Sequence, residues 1–254
     1  MTLFPEMFDS YLNESILGRA IKQKKIRVTF INPRKFVTGK YKKVWPDGNI
    51  STQIDDKPYG GGPGMVMRAE PIIKAVESII KKITNYEPAR RQGGLRITNF
   101  KTKKQAQKSK VLIINFIPSA DKFETKIAKN FARKYTDIIM ICGRYEGIDA
   151  RVDKILSAKG GSALGGKTFH FKKISIGDYV LTGGEIPAMI LIDSISRQIE
   201  GVLGNFDSRE EERISSSLVY TRPEILEYKR KKYRVPKVLL SGDHKKIDQW
   251  KKSK

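Results

Sequence analysis

A single cysteine, Cys142, occurs in 254 residues, so no intrachain disulfide can brace the chain. That usage suits a reducing compartment. Histidine is nearly as scarce. His170 and His244 lie far apart, and no Cys/His cluster has zinc spacing, so no metal site is expected. Two histidines also leave little material for a histidine-based nucleophilic triad. Long apolar runs are missing as well. Val111–Ile114 and Ile186–Ile192 are among the longest, and both fall well short of the roughly 18 residues that a membrane helix needs. The opening residues, MTLFPEMFDS, carry acids and lack a basic flank before an apolar core, so no signal peptide is expected. Together these absences predict a soluble, cytoplasmic chain with no membrane partner. Acids are few: 27 Asp and Glu stand against 50 Lys and Arg, for a net charge of +23. Such an excess speaks of partners and solubility, not of fold. A nucleic acid is the foremost partner class. A ribosome-like assembly or an anionic membrane surface would also accept the charge, and a lysine-rich composition alone would produce it without function.

What is present is enough chain to bury a core, as one large domain or two unequal ones. Apolar spacing predicts helices over Ser15–Lys24, from Glu70-Pro71 onward, over Lys122–Tyr135 and around Trp250. Strands are predicted at Ile26–Ile31, Val111–Phe116 and Asp137–Cys142, with a strand-like start at Leu3. The alternation of strands and helices indicates a mainly parallel α/β sheet. Lys82–Lys110 holds many Lys and Arg against one acid, Glu87. It is expected to be a mobile surface loop able to meet phosphates. Gly160–Gly166 reads as a flexible bridge. After Gly204 come a charged run, Asp207–Arg213, and a serine linker, Ser215–Ser217. A small helical C-terminal domain is expected beyond them, with a basic helix over Glu224–Arg234.

Three loops are read as ligand loops at strand ends, Ile117–Asp121 and Gly143–Asp149 after the strands just named, and Ser175–Gly184. Glycine lets backbone approach a ligand closely, because no Cβ intervenes. Loops at strand ends are where α/β proteins bind small molecules. Together the three suit a nucleotide-like ligand held by backbone N–H and C=O groups, although they match neither a P-loop nor the G-x-G-x-x-G pattern. Glu146 and Glu185 offer carboxylates for acid–base work, although exposed carboxylates are more often plain solvated charges. A further stretch, Pro58–Met65, is too rich in glycine for regular structure.

The strings PYGGGPGMVM, GRYEGIDARV, SIGDYVLTGGEIPAMILIDSISR, GVLGN, YTRPE and VPKVLLSGDH occur in this order. They closely resemble the bacterial tRNA (guanine-N1)-methyltransferase family, TrmD, over most of the chain outside 82–110 and 158–173. The resemblance implies an α/β domain of the SPOUT class tied in a trefoil knot, an exception to the rule that chains avoid knots. It implies a knotted catalytic domain over 1–203, a linker over 204–213 and a helical tRNA-binding domain over 214–254. It further implies a homodimer with active sites at the subunit interface. The implied reaction moves a methyl group from S-adenosylmethionine to N1 of the guanine immediately 3′ of the anticodon.

By the same resemblance, the cofactor lies among Phe116, Ile117 and Pro118 of the first loop and Gly143, Tyr145 and Glu146 of the second. The third loop and the apolar helix after it add Ser175, Ile176, Gly177, Tyr179, Leu181, Gly183, Gly184 and Pro187. The first loop departs from the usual family wording and keeps only its proline. Guanine N1 carries a proton at neutral pH, so transfer needs a base. The family's linker acid falls at Glu212. Arg197 matches an arginine that contacts the base from the partner subunit. Tyr59, Gly60, Gly61, Ser208, Lys229 and Arg230 are the implied tRNA contacts. The family is associated with Mg²⁺, although the sequence shows no site for it.

Overall fold

The computed structural model describes residues 1–84, 110–158, 169–203 and 218–253. The basic loop within 85–109, the bridge Gly160–Gly166, and the linker residues Ser208 and Glu212 lie outside the described residues. Two compact units divide the chain, Met1–Val202 and Leu203–Lys254.

The first unit opens with a 3-10 turn, Pro5–Phe8, then α1 (Asp9–Leu12) and α2 (Ser15–Lys22). Further 3-10 turns at Pro33–Phe36 and Gly39–Tyr41 lead to two small hairpins, β1 (Lys42–Val44) with β2 (Ile50–Thr52), and β3 (Asp55–Asp56) with β4 (Val66–Met67). Next come α3 (Ala69–Thr84), β5 (Val111–Phe116), α4 (Thr125–Lys134), β6 (Asp137–Ile141), α5 (Arg151–Ser157), β7 (Phe169–Ile174) and α6 (Glu185–Ser196).

Strands β5, β6 and β7 form a parallel sheet in the order β6-β5-β7. The sequence of β5, VLIINF, is apolar on both faces, so it is stable only with cover on both. Side chains alternate across a strand. Leu112 and Ile114 therefore join Ala128 and Phe131 of α4 and Leu191 and Ile195 of α6. Val111 and Ile113 join Ile72, Val76 and Ile80 of α3 and Val152 and Leu156 of α5 on the other side. The α3 residues recur every four positions, the spacing of one helical face. Each such side chain contributes roughly 1.5–3 kcal/mol by leaving water, so the sheet is the rigid platform from which the loops depart.

The strand-like start expected at Leu3 forms no strand. The Met1 amino group donates to Met140 O at 2.7 Å, Cys142 N–H to Met1 O at 3.0 Å, and Thr2 N–H to Ile31 O at 3.1 Å. Pro5 then begins the 3-10 turn, and a proline has no N–H with which to continue a ladder. Residues 26–31, expected as a strand, form none. The segment has too short a partner to build a ladder, and at Asn32 the chain turns away: its side chain caps the next turn by accepting from Arg34 N–H.

The second unit corrects a sequence expectation. Residues 224–234 are not a basic helix; β8 (Ile225–Tyr228) and β9 (Lys231–Arg234) form an antiparallel hairpin. Lys229 and Arg230 both take positive φ, 48° and 62°, the geometry of a two-residue hairpin turn. Leu226 pairs with Tyr233 and Tyr228 with Lys231. Such aromatic and aliphatic cross-strand pairs outweigh the helix propensity of the lysines around them. Helices α7 (Lys237–Leu240) and α8 (His244–Lys252) follow, with Asp243 capping α8 by accepting from Lys246 N–H. The C-terminal unit is thus a hairpin with two helices, not helical throughout.

Candidate functional site

Three loops leave the carboxyl ends of β5, β6 and β7, where open α/β sheets place ligands. Backbone bonds lace the first to the third. Ile117 N–H donates to Ile174 O at 3.1 Å, Ser175 N–H to Asp121 O at 2.9 Å, and Phe123 N–H to Ser175 O at 2.7 Å. The buried Ser175 hydroxyl lies 3.2 Å from Gly177 N and 3.0 Å from Gly177 O, closing the turn. The Tyr179 hydroxyl donates to Ile176 O at 3.2 Å, and its ring lies against Gly177.

The third loop crosses the second with no room to spare. Gly184 N–H donates to Gly143 O at 2.9 Å. A methyl group on Gly184 would stand 2.6 Å from Cys142 Cα and 2.9 Å from Gly143 N. One on Gly183 would stand 2.6 Å from both Arg144 Nε and Glu185 Oε2. Neither position tolerates a side chain, because main chain or a buried charge pair already fills the space.

The glycine-rich stretch ahead of β4 rests on the second loop. Glu146 N–H donates to Met65 O, Met67 N–H to Gly147 O and Asp149 N–H to Met67 O, each at 3.0 Å. Gly64 packs on the Glu146 side chain, 2.6 Å from its Cγ if a methyl were added. Tyr145 adopts a left-handed conformation, φ 60°, and leaves its ring half exposed. Asp149 accepts from Arg151 N–H at 2.9 Å at the start of α5. The Arg151 guanidinium holds the Asp149 carboxyl below the usual carboxylate range.

Glu185 is only 1% exposed. Its Oε1 accepts from Thr2 Oγ1 at 2.7 Å, and its Oε2 stands 3.1 Å from Arg144 Nε. Arg144 in turn stacks over Phe4, its Cζ 4.6 Å from the ring centroid. A carboxylate enclosed and paired in this way braces the crossing. Arg144 and Thr2 were not legible as partners. The one sequence signal is a charge between two glycine turns, GR in the second loop and GGE in the third. Burial pushes the neighbouring Cys142 thiol up to about 12, with the Glu185 charge adding to it, so it is not a nucleophile near neutrality.

The loops gather most of the residues expected at a cofactor site: Phe116, Ile117 and Pro118, Gly143, Tyr145 and Glu146, and Ser175 through Gly184. Pro187 is buried in the first turn of α6. Arg197 caps the far end of that helix, about 20 Å from Gly184 at 1.5 Å per residue. Arg197 and Gly184 thus stand at opposite ends of α6. Tyr59, Gly60 and Gly61 are exposed on the stretch that packs on the second loop, and Lys229 and Arg230 form the hairpin turn of the second unit. Among the described residues no group of three or more His, Cys, Asp or Glu is placed to hold a metal ion, and no helix is long and apolar enough to cross a membrane.

The family model described as tRNA (Guanine-1)-methyltransferase TrmD matches residues 1–254. A tRNA (guanine-N(1)-)-methyltransferase of Carboxydothermus hydrogenoformans is 41% identical over 99% of this chain and 79% of its own length. The protein of that name from Clostridioides difficile is 40% identical over 99% and 89%. The one from Endomicrobium trichonymphae is 36% identical over 99% and 90%. With this similarity running through both units and the three-loop crossing, the chain belongs to the tRNA (guanine-1)-methyltransferase family, TrmD.

Proposed function

We propose that the chain is a tRNA methyltransferase that moves a methyl group from S-adenosylmethionine to N1 of the guanine immediately 3′ of the anticodon. The observation that carries this reading is the cradle of three loops in a chain matched by the family along its whole length. On this reading the passage of the third loop against Cys142 and Gly143 belongs to a SPOUT trefoil knot. Residues 1–203 are the cofactor-binding catalytic domain, 204–213 the linker and 214–254 the tRNA-binding domain of a cytoplasmic enzyme.

The residues present suit the cofactor. The loops around Gly143, Gly177, Gly183 and Gly184 offer it main-chain N–H and C=O groups, while the missing Cβ atoms of Gly183 and Gly184 make room for the crossing itself. Ile117, Ile176, Tyr179, Leu181 and Pro187 offer apolar cover for an adenine face. When bound there, S-adenosylmethionine supplies an electrophilic sulfonium methyl. The protein's own task is to expose the guanine N1 lone pair. Glu212 accepts the N1 proton, and Arg197 faces O6, where negative charge grows as that proton leaves. Because Arg197 sits at the far end of α6, it serves the neighbouring protomer's site in a homodimer. The exposed apolar side chains of Phe4, Met7, Tyr11, Ile186 and Ile190, on α6 and the N-terminal turns packed beside it, support such a pairing. Tyr59, Gly60, Gly61, Ser208, Lys229 and Arg230 contact tRNA. Any Mg²⁺ that takes part arrives with the tRNA phosphates.

The test is methyl transfer from labelled S-adenosylmethionine to a tRNA transcript with guanine 3′ of the anticodon, beside one with adenine there. Labelling of the guanine transcript alone is expected. Labelling of both would move the target base elsewhere, and labelling of neither would remove the activity. Glu212→Gln is expected to lower turnover about a hundredfold or more while cofactor affinity holds. Near-normal turnover would remove Glu212 from the role of base.

A further inference from the structure

The β1–β2 hairpin takes no part in the cradle, yet it presents an unusual surface. Val44 and Ile50 are cross-strand partners, and they are 66% and 58% exposed. Trp45, at the tip, is 53% exposed. Single exposed apolar side chains are ordinary; here Val44 and Ile50 sit side by side on one face of the hairpin and Trp45 stands at its tip. Both strands of this hairpin are exposed except at Thr52.

The tip is nonetheless well defined. Trp45 N–H donates to Asn49 O at 2.8 Å and Gly48 N–H to Trp45 O at 2.9 Å. Asp47 accepts from the Asn49 N–H at 3.0 Å and from its side-chain amide at 2.7 Å. The root is held too. Tyr41 lies beneath the Arg68 guanidinium, 3.4 Å from Cζ to ring centroid, and donates its hydroxyl to Asp56 at 2.7 Å. Arg68 directly follows β4, the strand that hydrogen-bonds the second loop through Met67 and Gly147. The hairpin is therefore a rigid arm mounted on the rim of the site.

Its charge selects the partner. Over residues 39–52, Lys40, Lys42 and Lys43 face a single acid, Asp47. Val44 and Ile50 share a face with Lys42, so apolar and cationic groups are interleaved rather than separated. A protein-binding face gathers its apolar groups and sheds its lysines. Lysines beside an exposed indole are instead the means by which proteins hold unpaired nucleotides, with phosphate contacts and base stacking together.

We propose that the β1–β2 hairpin is an RNA-contacting arm in which Trp45 stacks on an unpaired base of the tRNA while Lys42 and Lys43 meet flanking phosphates. This rests on the tRNA methyltransferase reading. The test uses the full-length protein with the guanine-bearing transcript. Trp45→Ala is expected to raise KM for tRNA about tenfold, the loss of one base stack, with kcat and S-adenosylmethionine affinity unchanged. Trp45→Phe, which keeps a stacking face, is expected to recover most of that loss. Replacing Lys42 and Lys43 by Gln is expected to flatten the salt dependence of tRNA binding by roughly one to two units of slope. An unchanged KM for Trp45→Ala in an active enzyme overturns the arm and leaves the activity standing. A wild-type protein inactive on both transcripts overturns the activity itself. If Trp45→Ala converts dimer to monomer, the face is a contact between copies, and the RNA arm is wrong.

Discussion

Two glycine clusters in this molecule do opposite things. Gly60, Gly61 and Gly62 take positive φ, 89°, 81° and 107°, and a methyl group on any of them would meet no other atom within 4 Å. Gly184 takes an ordinary helical φ of −83°, yet a methyl there would strike the Cys142 main chain. The first cluster uses glycine for its backbone conformations, the second for its lack of volume. The exposed cluster is shaped by its own dihedral angles and rests on one neighbour, Gly64 against Glu146. The buried one is shaped wholly by another part of the chain. A glycine motif therefore says nothing about which property it uses until its neighbours are known.

This contrast is open to attack by substitution. The largest effect is expected for Gly184→Ala. Main chain lies on the contact side, so nothing small can yield, and a loss of about 3 kcal/mol or more in unfolding free energy is expected, on the scale of overpacked cores. Denaturant titration and cofactor binding would read it. A midpoint and affinity near wild type would mean the crossing is loose. Glu185→Ala comes next, at about 3 kcal/mol, the cost of stranding a mostly buried Arg144 beside an empty space. Glu185→Gln is expected to cost less, since its amide oxygen can still accept from Thr2. Equal losses for the two would mean that charge pairing, not hydrogen bonding, braces the crossing. Gly61→Ala is expected to be the mildest, about 1 kcal/mol for a left-handed alanine. Its signature is a higher KM for tRNA with S-adenosylmethionine affinity intact. Should Gly61→Ala prove as damaging as Gly184→Ala, the two clusters would not differ in kind.

Much of the fold was legible. The apolar run of β5 announces a strand covered on both faces, and the four-residue spacing of Ile72, Val76 and Ile80 announces α3. The second and third loops at the strand ends were recognisable by their glycines, and the first by its position after the β5 run. The hairpin over 224–234 was not, because Glu, Leu, Tyr, Lys and Arg in this mixture suit a helix as well as a strand. Only the pairing of Leu226 with Tyr233 and the left-handed Lys229-Arg230 turn settle it. Residues 26–31 failed in the other direction: their composition suits a strand, but a strand forms only where a neighbour supplies a ladder, and the short run Met1–Leu3 does not build one with them. For Glu185, the residue type predicts exposure, and the side chain is buried.

By itself the sequence determined a parallel α/β sheet, three ligand-type loops at its carboxyl end, a strongly cationic surface and membership of one enzyme family. These arise from local periodicity, composition and motif order, which every segment carries within itself. Only the tertiary structure decided that Glu185 is a brace and that Gly184 has no room for a methyl group. Each of these depends on what lies across the fold. Thr2 and Glu185 are separated by 183 positions in the chain and by 2.7 Å in space, and no local pattern contains that distance.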